Sequence, residues 1–267
     1  TDIEKIDAII KFKYIFFVIL IIKKFRFEII EFMKKILLIF FLTTLFSCEK
    51  KSDDKEWIYL FSDENSSNWK AYNGDALPKK WKITNNTLTF DTEFKLESEY
   101  TKGTDIIFTD EEFENFVLYL EWKLPKGGNS GIFYHLKEGF EEPSEVAPEY
   151  QLIDDDGWEE LNNDKLSSWQ KAGADYAMYS PKTNVKKLYP SGEWNSTKII
   201  FTEKKVEYWL NKQKILSFVP WSEDWYKRKN DGKWKDSKFY GKYKKGYIGL
   251  QDHNSSISFR NMKIRKL

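Results

Sequence analysis

From Trp57 to the C-terminus, apolar and polar side chains alternate in short runs, and such runs recur about eleven times with few helical stretches between them. Successive side chains on a strand point to opposite faces, so each run has one face to bury and one left for water or a ligand. The expected strands are Trp57 to Phe61, Trp81 to Thr84, Thr87 to Phe90, Asp105 to Phe108, Phe116 to Leu124, Gly131 to Leu136, Tyr150 to Ile153, Thr197 to Thr202, Lys205 to Leu210, Gly246 to Gln251 and Ser256 to Ile264. Asn85-Asn86 reads as a tight hairpin turn and Glu203-Lys204 as a less typical one. Strands that each bury one face need a second sheet to cover it. The expected fold class is therefore all-β, a β-sandwich of two antiparallel sheets. Glu159 to Gln170 fits either a short helix or an irregular segment. Ser222 to Tyr240 reads as a polar, aromatic-rich insertion, and loops of that length are usually functional or disordered.

The segment before Trp57 has a different character. The first methionine is Met33, followed by Lys34-Lys35, the short apolar run Ile36 to Leu42, and Leu45-Phe46-Ser47-Cys48. A basic start, a short apolar core and a small residue before the cut make a secretory signal. Leu-x-Ser-Cys has the form of a bacterial lipobox, which makes Cys48 the expected lipidation site. The apolar run falls short of the roughly 20 residues that a spanning helix needs. The reading is thus 1–32 as an upstream extension outside the native protein, 33–47 as a lipoprotein signal peptide, 48–56 as a charged tether and 57–267 as the globular domain. It implies a cell-envelope lipoprotein, facing the periplasm or the cell surface, that meets the membrane only through its lipid. Cys48 is the sole cysteine, so no disulfide can form within the chain.

Without the first 47 residues, basic and acidic side chains nearly balance, and nothing in that balance points to a nucleic-acid partner. Aromatic residues make up 18% of the chain, with 11 Trp. Such rings fill cores, and they also form platforms for sugar rings.

Two segments carry polar faces in need of a reason. In Glu149-Tyr150-Gln151-Leu152-Ile153-Asp154, Glu149 and Gln151 share one face while Tyr150 and Leu152 share the other. In Gly246 to His253, Ile248 and Leu250 face the core, whereas Tyr247, Gln251 and His253 face away. An imidazole beside an amide can exchange protons near neutral pH. Tyr119 and Glu121 alternate with Leu118, Leu120 and Trp122, either as a solvated outer face or as a face that grips ligand. Gly192-Glu193-Trp194-Asn195 reads as a turn with a buried Trp or as an aromatic wall beside an amide. Several signatures are missing: a Cys–His metal cluster, a phosphate-cradling loop, a nucleophile elbow and the Glu-x-Asp-x-x-Glu strand of laminarinase-like sandwiches. The paired carboxylates of ordinary glycosidases thus have no evident seat.

Taken in order, Glu121-Trp122, Gly127-Gly128-Asn129-Ser130-Gly131-Ile132-Phe133-Tyr134, Glu149 to Asp155, Gly192 to Asn195, Trp209-Leu210-Asn211, Gly246 to His253 and Phe259-Arg260-Asn261 resemble the 3-keto-disaccharide hydrolase domain family, a former domain of unknown function. The resemblance spans Trp57 to Leu267. It implies a concanavalin-like jelly roll, often lipoprotein-anchored, acting on oligosaccharides or glycosides oxidised at C3. The chain departs from the family at His135, where Arg is frequent, at Tyr208, where His is frequent, and at Lys212, where Gly is frequent.

A C3 ketone acidifies the C2 proton. A base removes it, the enediolate expels the C1 substituent, and water adds back. The resemblance makes Glu149 and His253 the catalytic candidates, with either as the base. It makes Glu121, Asn129, Tyr134, Gln151, Asp154, Trp194, Asn195, Gln251 and Arg260 the substrate-binding candidates, with Gln151 and Asn129 suited to hydroxyls or the oxyanion. Asp154, Glu121 and His253 are also residue types that hold a divalent cation. The competing reading is a non-catalytic carbohydrate-binding module of the same fold. Catalysis requires a carboxylate and His253 to converge on a pocket, whereas a binding module would present an open aromatic shelf.

Overall fold

The computed structural model describes residues 11, 13, 15, 17–34, 56–62, 68–93 and 104–267. The chain divides into two units, Thr1–Asp54 and Lys55–Leu267. In the first, residues 17–34 form a helix, α1. Among the described residues no helix is long and apolar enough to cross a membrane. The apolar run at 36–42, Cys48 and most of the tether lie outside the described residues.

The second unit is a two-sheet sandwich in which every strand pairing is antiparallel. The larger sheet runs β11 (Gln213–Phe218), β10 (Lys205–Leu210), β9 (Asn195–Thr202), β6 (Phe116–Lys123), β13 (Ile257–Lys266), β4 (Thr87–Phe90), β3 (Trp81–Thr84), with β1 (Ile58–Tyr59) also paired to β13. The smaller runs β2 (Trp69–Ala71), β5 (Ile106–Phe113), β12 (Gly246–Leu250), β7 (Asn129–Leu136), β8 (Glu149–Ile153). Consecutive strands often sit in opposite sheets, and this crossing between layers is why neither sheet can form from a local stretch of chain. Two strands, β2 and β11, are too short or too irregular in pattern for the alternation to reveal them.

The core lies where the alternating apolar faces meet. Leu118, Leu120 and Trp122 of β6 and Ile199 and Phe201 of β9 pack with Ile132 and Tyr134 of β7, Tyr150 and Leu152 of β8, and Ile248 and Leu250 of β12. The Trp122 indole N–H donates to Thr197 Oγ1 at 2.9 Å, so the one polar atom of that ring is satisfied inside the core. Asn85 and Asn86 both adopt positive φ, 52° and 53°, and close the β3–β4 hairpin as expected. A second turn of this kind, Asn211-Lys212 at φ 46° and 68°, joins β10 to β11.

Besides a 3₁₀ turn at Pro143–Glu145, the described helices of this unit occur in two loop regions. The 159–170 region holds the end of α2 (Asp155–Asn162) and a 3₁₀ turn at Ser168–Gln170. The 222–240 insertion starts with α3 (Glu223–Asp231), whose N-cap Ser222 accepts a hydrogen bond from the Trp225 backbone N–H at 3.3 Å. Its aromatic residues pack on one another, with Trp234 and Tyr240 stacked at 4.5 Å. All of β8 is buried, because the segments around α2 and after α3 cover the sheet face that alternation leaves polar.

Candidate active site

The smaller sheet turns its polar face toward a cleft of about 420 Å³, lined among others by Asp105, Asn129, Glu149, Gln151, Tyr176, Lys233, Trp234, Gln251 and His253. Strand register assembles it. Gln151 lies across from Gly131, and the Gln251 backbone N–H donates to the Gly131 carbonyl at 3.0 Å, so one cross-strand row reads Gln151, Gly131, Gln251. Glu149 sits one row away, opposite Phe133. Gly131 is required here. A Cβ at that position would lie 2.1 Å from Glu149 Oε1, so the glycine makes the hollow into which the carboxyl folds.

Glu149 is 5% exposed, and among the described residues its carboxyl oxygens accept no hydrogen bond. Burial pushes its pKa up to about 8. Lys233 opposes this, and Asp105 and Asp175 add to it through charge repulsion. Deprotonation then yields a poorly solvated, strongly basic carboxylate.

His253 is held by a relay. Gln151 Nε2 donates to Asn129 Oδ1 at 3.4 Å, which turns the Asn129 amide nitrogen toward His253 Nδ1 at 3.3 Å. With Nδ1 accepting from that amide, the proton of the neutral ring sits on Nε2. Asn129 is itself fixed at both backbone atoms by Ser255 Oγ, at 2.7 Å each. The loop that carries Gln251 and His253 is pinned by two aspartates. Asp105 Oδ1 accepts from the Asp252 backbone N–H, and Asp252 Oδ2 accepts from the Thr104 backbone N–H, both at 2.8 Å. Gln251 Oε1 is shielded from solvent with no hydrogen-bond partner, an acceptor left open beside the cleft.

Of the eleven residues expected to act on substrate, Glu149, His253, Asn129, Gln151 and Gln251 line this cleft. The expected direction of β8 and β12 also holds, since Tyr150, Leu152, Ile248 and Leu250 are core. The other six lie elsewhere. Tyr134 shares its face with Ile132 and is buried between the sheets, its hydroxyl 2.8 Å from that of Tyr208. Asp154 Oδ2 accepts from the Gly127 backbone N–H at 2.9 Å and ties the turn before β7 to the start of α2. Asn195, 2% exposed, holds Tyr189 and Asn211. Glu121, Trp194 and Arg260 gather on the outer face of the larger sheet. There Arg260 Nε meets Glu121 Oε2 at 2.7 Å, and its guanidinium lies 4.1 Å over the Trp194 ring.

Asp154, Glu121 and His253, each of a type that can hold a divalent cation, fall in three different regions. Among the described residues no group of three His, Cys, Asp or Glu side chains converges as a metal site. The departures from the family pattern also lie off the cleft. Tyr208 donates to the buried Asp175 at 3.2 Å, and His135 is enclosed beside Trp221 with Nε2 2.9 Å from the Glu114 carbonyl. Burial lowers the His135 pKa to about 4. Sequence reasoning missed Asp105, Tyr176, Lys233 and Trp234. The last two fall in the 222–240 insertion, whose length was the available signal.

A β-sandwich with a recessed carboxyl, an oriented imidazole and two flanking amides holds the group types that acid–base chemistry needs, and the chain's relatives give the class, a hydrolase-like enzyme. The chain belongs to the family of 3-keto-alpha-glucoside-1,2-lyase-like domains, whose profile matches residues 56–265. It is 31% identical over 235 residues, covering 80% of each chain, to the 3-keto-disaccharide hydrolase of Bacteroides thetaiotaomicron VPI-5482. Two crystal structures from Parabacteroides distasonis ATCC 8503, both of candidate glycosyl hydrolases, share its fold. One is 38% identical at TM-score 0.69, covering 79% of this chain and 94% of the other. The second is 27% identical at TM-score 0.58, covering 79% and 100%.

Proposed function

We propose that this cleft cleaves 3-keto-disaccharides or 3-keto-glycosides by C2 deprotonation, elimination and hydration. The observation that carries this reading is the convergence of Glu149 and His253 on one cleft. Glu149 is a carboxyl whose burial makes its anion a strong base. His253 is an imidazole oriented through Nδ1 to present an N–H at Nε2. Glu149 takes the proton from C2, and the electron pair moves to the C3 oxygen. The amide N–H groups of Gln151 and Gln251 and the Lys233 ammonium are the donors suited to that oxygen. The enediolate re-forms the ketone and expels the C1 oxygen, which accepts a hydrogen bond from the His253 Nε2–H and takes up the proton that Glu149 removed from C2. Water then adds across the C1–C2 double bond. The sum is one glycosidic bond broken and one water consumed. The name of the Bacteroides relative and the family assignment support this substrate class.

The test is to incubate the domain with a panel of 3-keto-glycosides, with and without chelator, in deuterated water. Released aglycone together with a 3-keto sugar that carries deuterium at C2 is the expected result. Sugar binding without cleavage of any keto-glycoside would replace this reading with that of a binding module.

We also propose that Cys48 is the lipidated first residue of a cell-envelope protein. The support is the basic, apolar, Leu-x-Ser-Cys series. Mass spectrometry of the mature N-terminus in the native host checks it, and a chain retaining Met33 with unmodified Cys48 would refute it.

A further inference from the structure

The outer face of the larger sheet carries an ordered row that the cleft does not use. Register places Trp209 of β10 beside Lys198 of β9, Lys198 beside Tyr119 of β6, Tyr119 beside Lys263 of β13, and Lys263 beside Tyr59 of β1. Five adjacent strands thus present aromatic, lysine, aromatic, lysine, aromatic in one line. Their inward neighbours Leu118, Ile199, Tyr208 and Ile264 are core, so the row itself points outward, and Tyr59 is 62% exposed. Neighbouring strands lie about 4.8 Å apart, which spaces the rings by about 9.5 Å, the scale of two sugar units in an extended chain.

The two lysines are held by rings rather than by acids. Lys198 Nζ lies 4.1 Å from the Trp209 ring centre, and Lys263 Nζ lies 4.9 Å from Trp57, 5.7 Å from Tyr119 and 5.8 Å from Tyr59. Among the described residues neither forms an ion pair. The two carboxylates on this face are already engaged, Glu207 with Lys205 and Lys214, and Glu121 with Arg260. A cation–π contact orients a lysine without cancelling its charge. The face therefore combines flat apolar rings with uncancelled positive charge at every second strand.

We propose that this row is a second carbohydrate surface, which docks an extended acidic polysaccharide bearing carboxylate or sulfate on alternate sugars. Rings stack on the sugar faces, and the lysines between them meet the anionic groups. Two lysines across five strands are too sparse to match a charge on every nucleotide of a nucleic acid, and the nearly balanced charge of the domain gives no general pull toward one. The surface is independent of the cleft chemistry. It would keep the enzyme on a polymer while the cleft works on small products.

The test is affinity electrophoresis of the full chain in gels containing hyaluronan, which carries carboxylate on alternate sugars, κ-carrageenan, which carries sulfate on alternate sugars, or neutral dextran, with phosphatidylglycerol vesicles and oligodeoxythymidylate as separate binding arms. The wild type should be retarded by at least one acidic polymer, and which one identifies the anionic group. Neutral dextran should have no effect. Lys198→Gln with Lys263→Gln should weaken retardation on the order of tenfold, and Lys198→Arg with Lys263→Arg should restore it. Tyr59→Ala should weaken it severalfold, while turnover in the cleft stays unchanged in all variants. The proposal falls if neither acidic polymer retards the wild type, or if the Gln pair binds as tightly as wild type. It falls equally if Tyr59→Ala has no effect, which would leave simple ion exchange, or if vesicles or the oligonucleotide bind more tightly than the polymers.

Discussion

Glu149 and Glu121 both occupy the polar face of an alternating strand, and the two sheets treat them in opposite ways. In the smaller sheet, loops close over the face, and burial drives the Glu149 pKa up to about 8 with no hydrogen bond to hold the anion. In the larger sheet the face is open. Burial still pushes Glu121 up, but hydrogen bonds from Arg260, Asn261 and Tyr119 outweigh it and bring the carboxyl below its ordinary range. One carboxyl is left buried without a partner for its charge among the described residues, and the other has its charge paired by its neighbours. Period-two alternation marks a polar face, but the cover laid over that face decides its chemistry.

The largest expected effect separates the two carboxylates directly. Glu149→Gln should lower kcat on 3-keto-glycosides by roughly 10²–10⁴, the usual cost of a lost general base, and His253→Ala should do the same. Glu121→Gln should stay within a few-fold of wild type. Steady-state kinetics on one substrate checks all three, and equal losses at Glu121 and Glu149 would erase the contrast.

The next prediction uses pH. With Glu149 as the proposed base, acting as the anion, kcat/KM should rise about tenfold per pH unit and level off near pH 8, where the carboxyl is half ionised. A profile that falls through the same range would make Glu149 the acid.

Stability should show the same group with the opposite sign. A carboxyl whose folded pKa is raised from 4.5 to about 8 contributes stability that is fully present below its unfolded value and is lost as pH rises toward 8. Asp175, driven up to about 8 by burial, adds to that loss. Glu149→Gln should therefore melt above wild type at pH 8.5 and converge with it toward pH 5. Glu121→Gln should not reproduce the pattern in thermal melts.

The smallest effect lies at the edge of the open sheet. Lys212 holds φ 68° in the β10–β11 turn, a left-handed conformation that glycine adopts without a Cβ clash. Lys212→Gly removes the strain of a left-handed residue at some cost in chain entropy, for a net gain of about 0.5–1 kcal/mol. Chemical denaturation would measure it, and a loss of stability would show that the side chain outweighs the strain.

The sequence by itself determined the fold class, most strand positions and the direction of the key side chains. Alternation is a local property, so Tyr150 and Leu152 could be assigned to the core, and Glu149 and Gln151 to the opposite face, before any sheet was known. The Asn85-Asn86 hairpin was legible for the same reason, since both residues tolerate the backbone that the turn demands. Only the tertiary structure decided which polar faces meet. Glu121, Trp194 and Arg260 belong to strands as regular as β8 yet lie in the other sheet, and Tyr134 follows its own alternation into the core. Asp105 and Lys233, more than 120 positions apart, reach the same carboxyl because strand order brings β5 beside β12 and folds the 222–240 insertion over the cleft. Sheet order and loop cover are set by the packing of distant segments, and no local pattern encodes them.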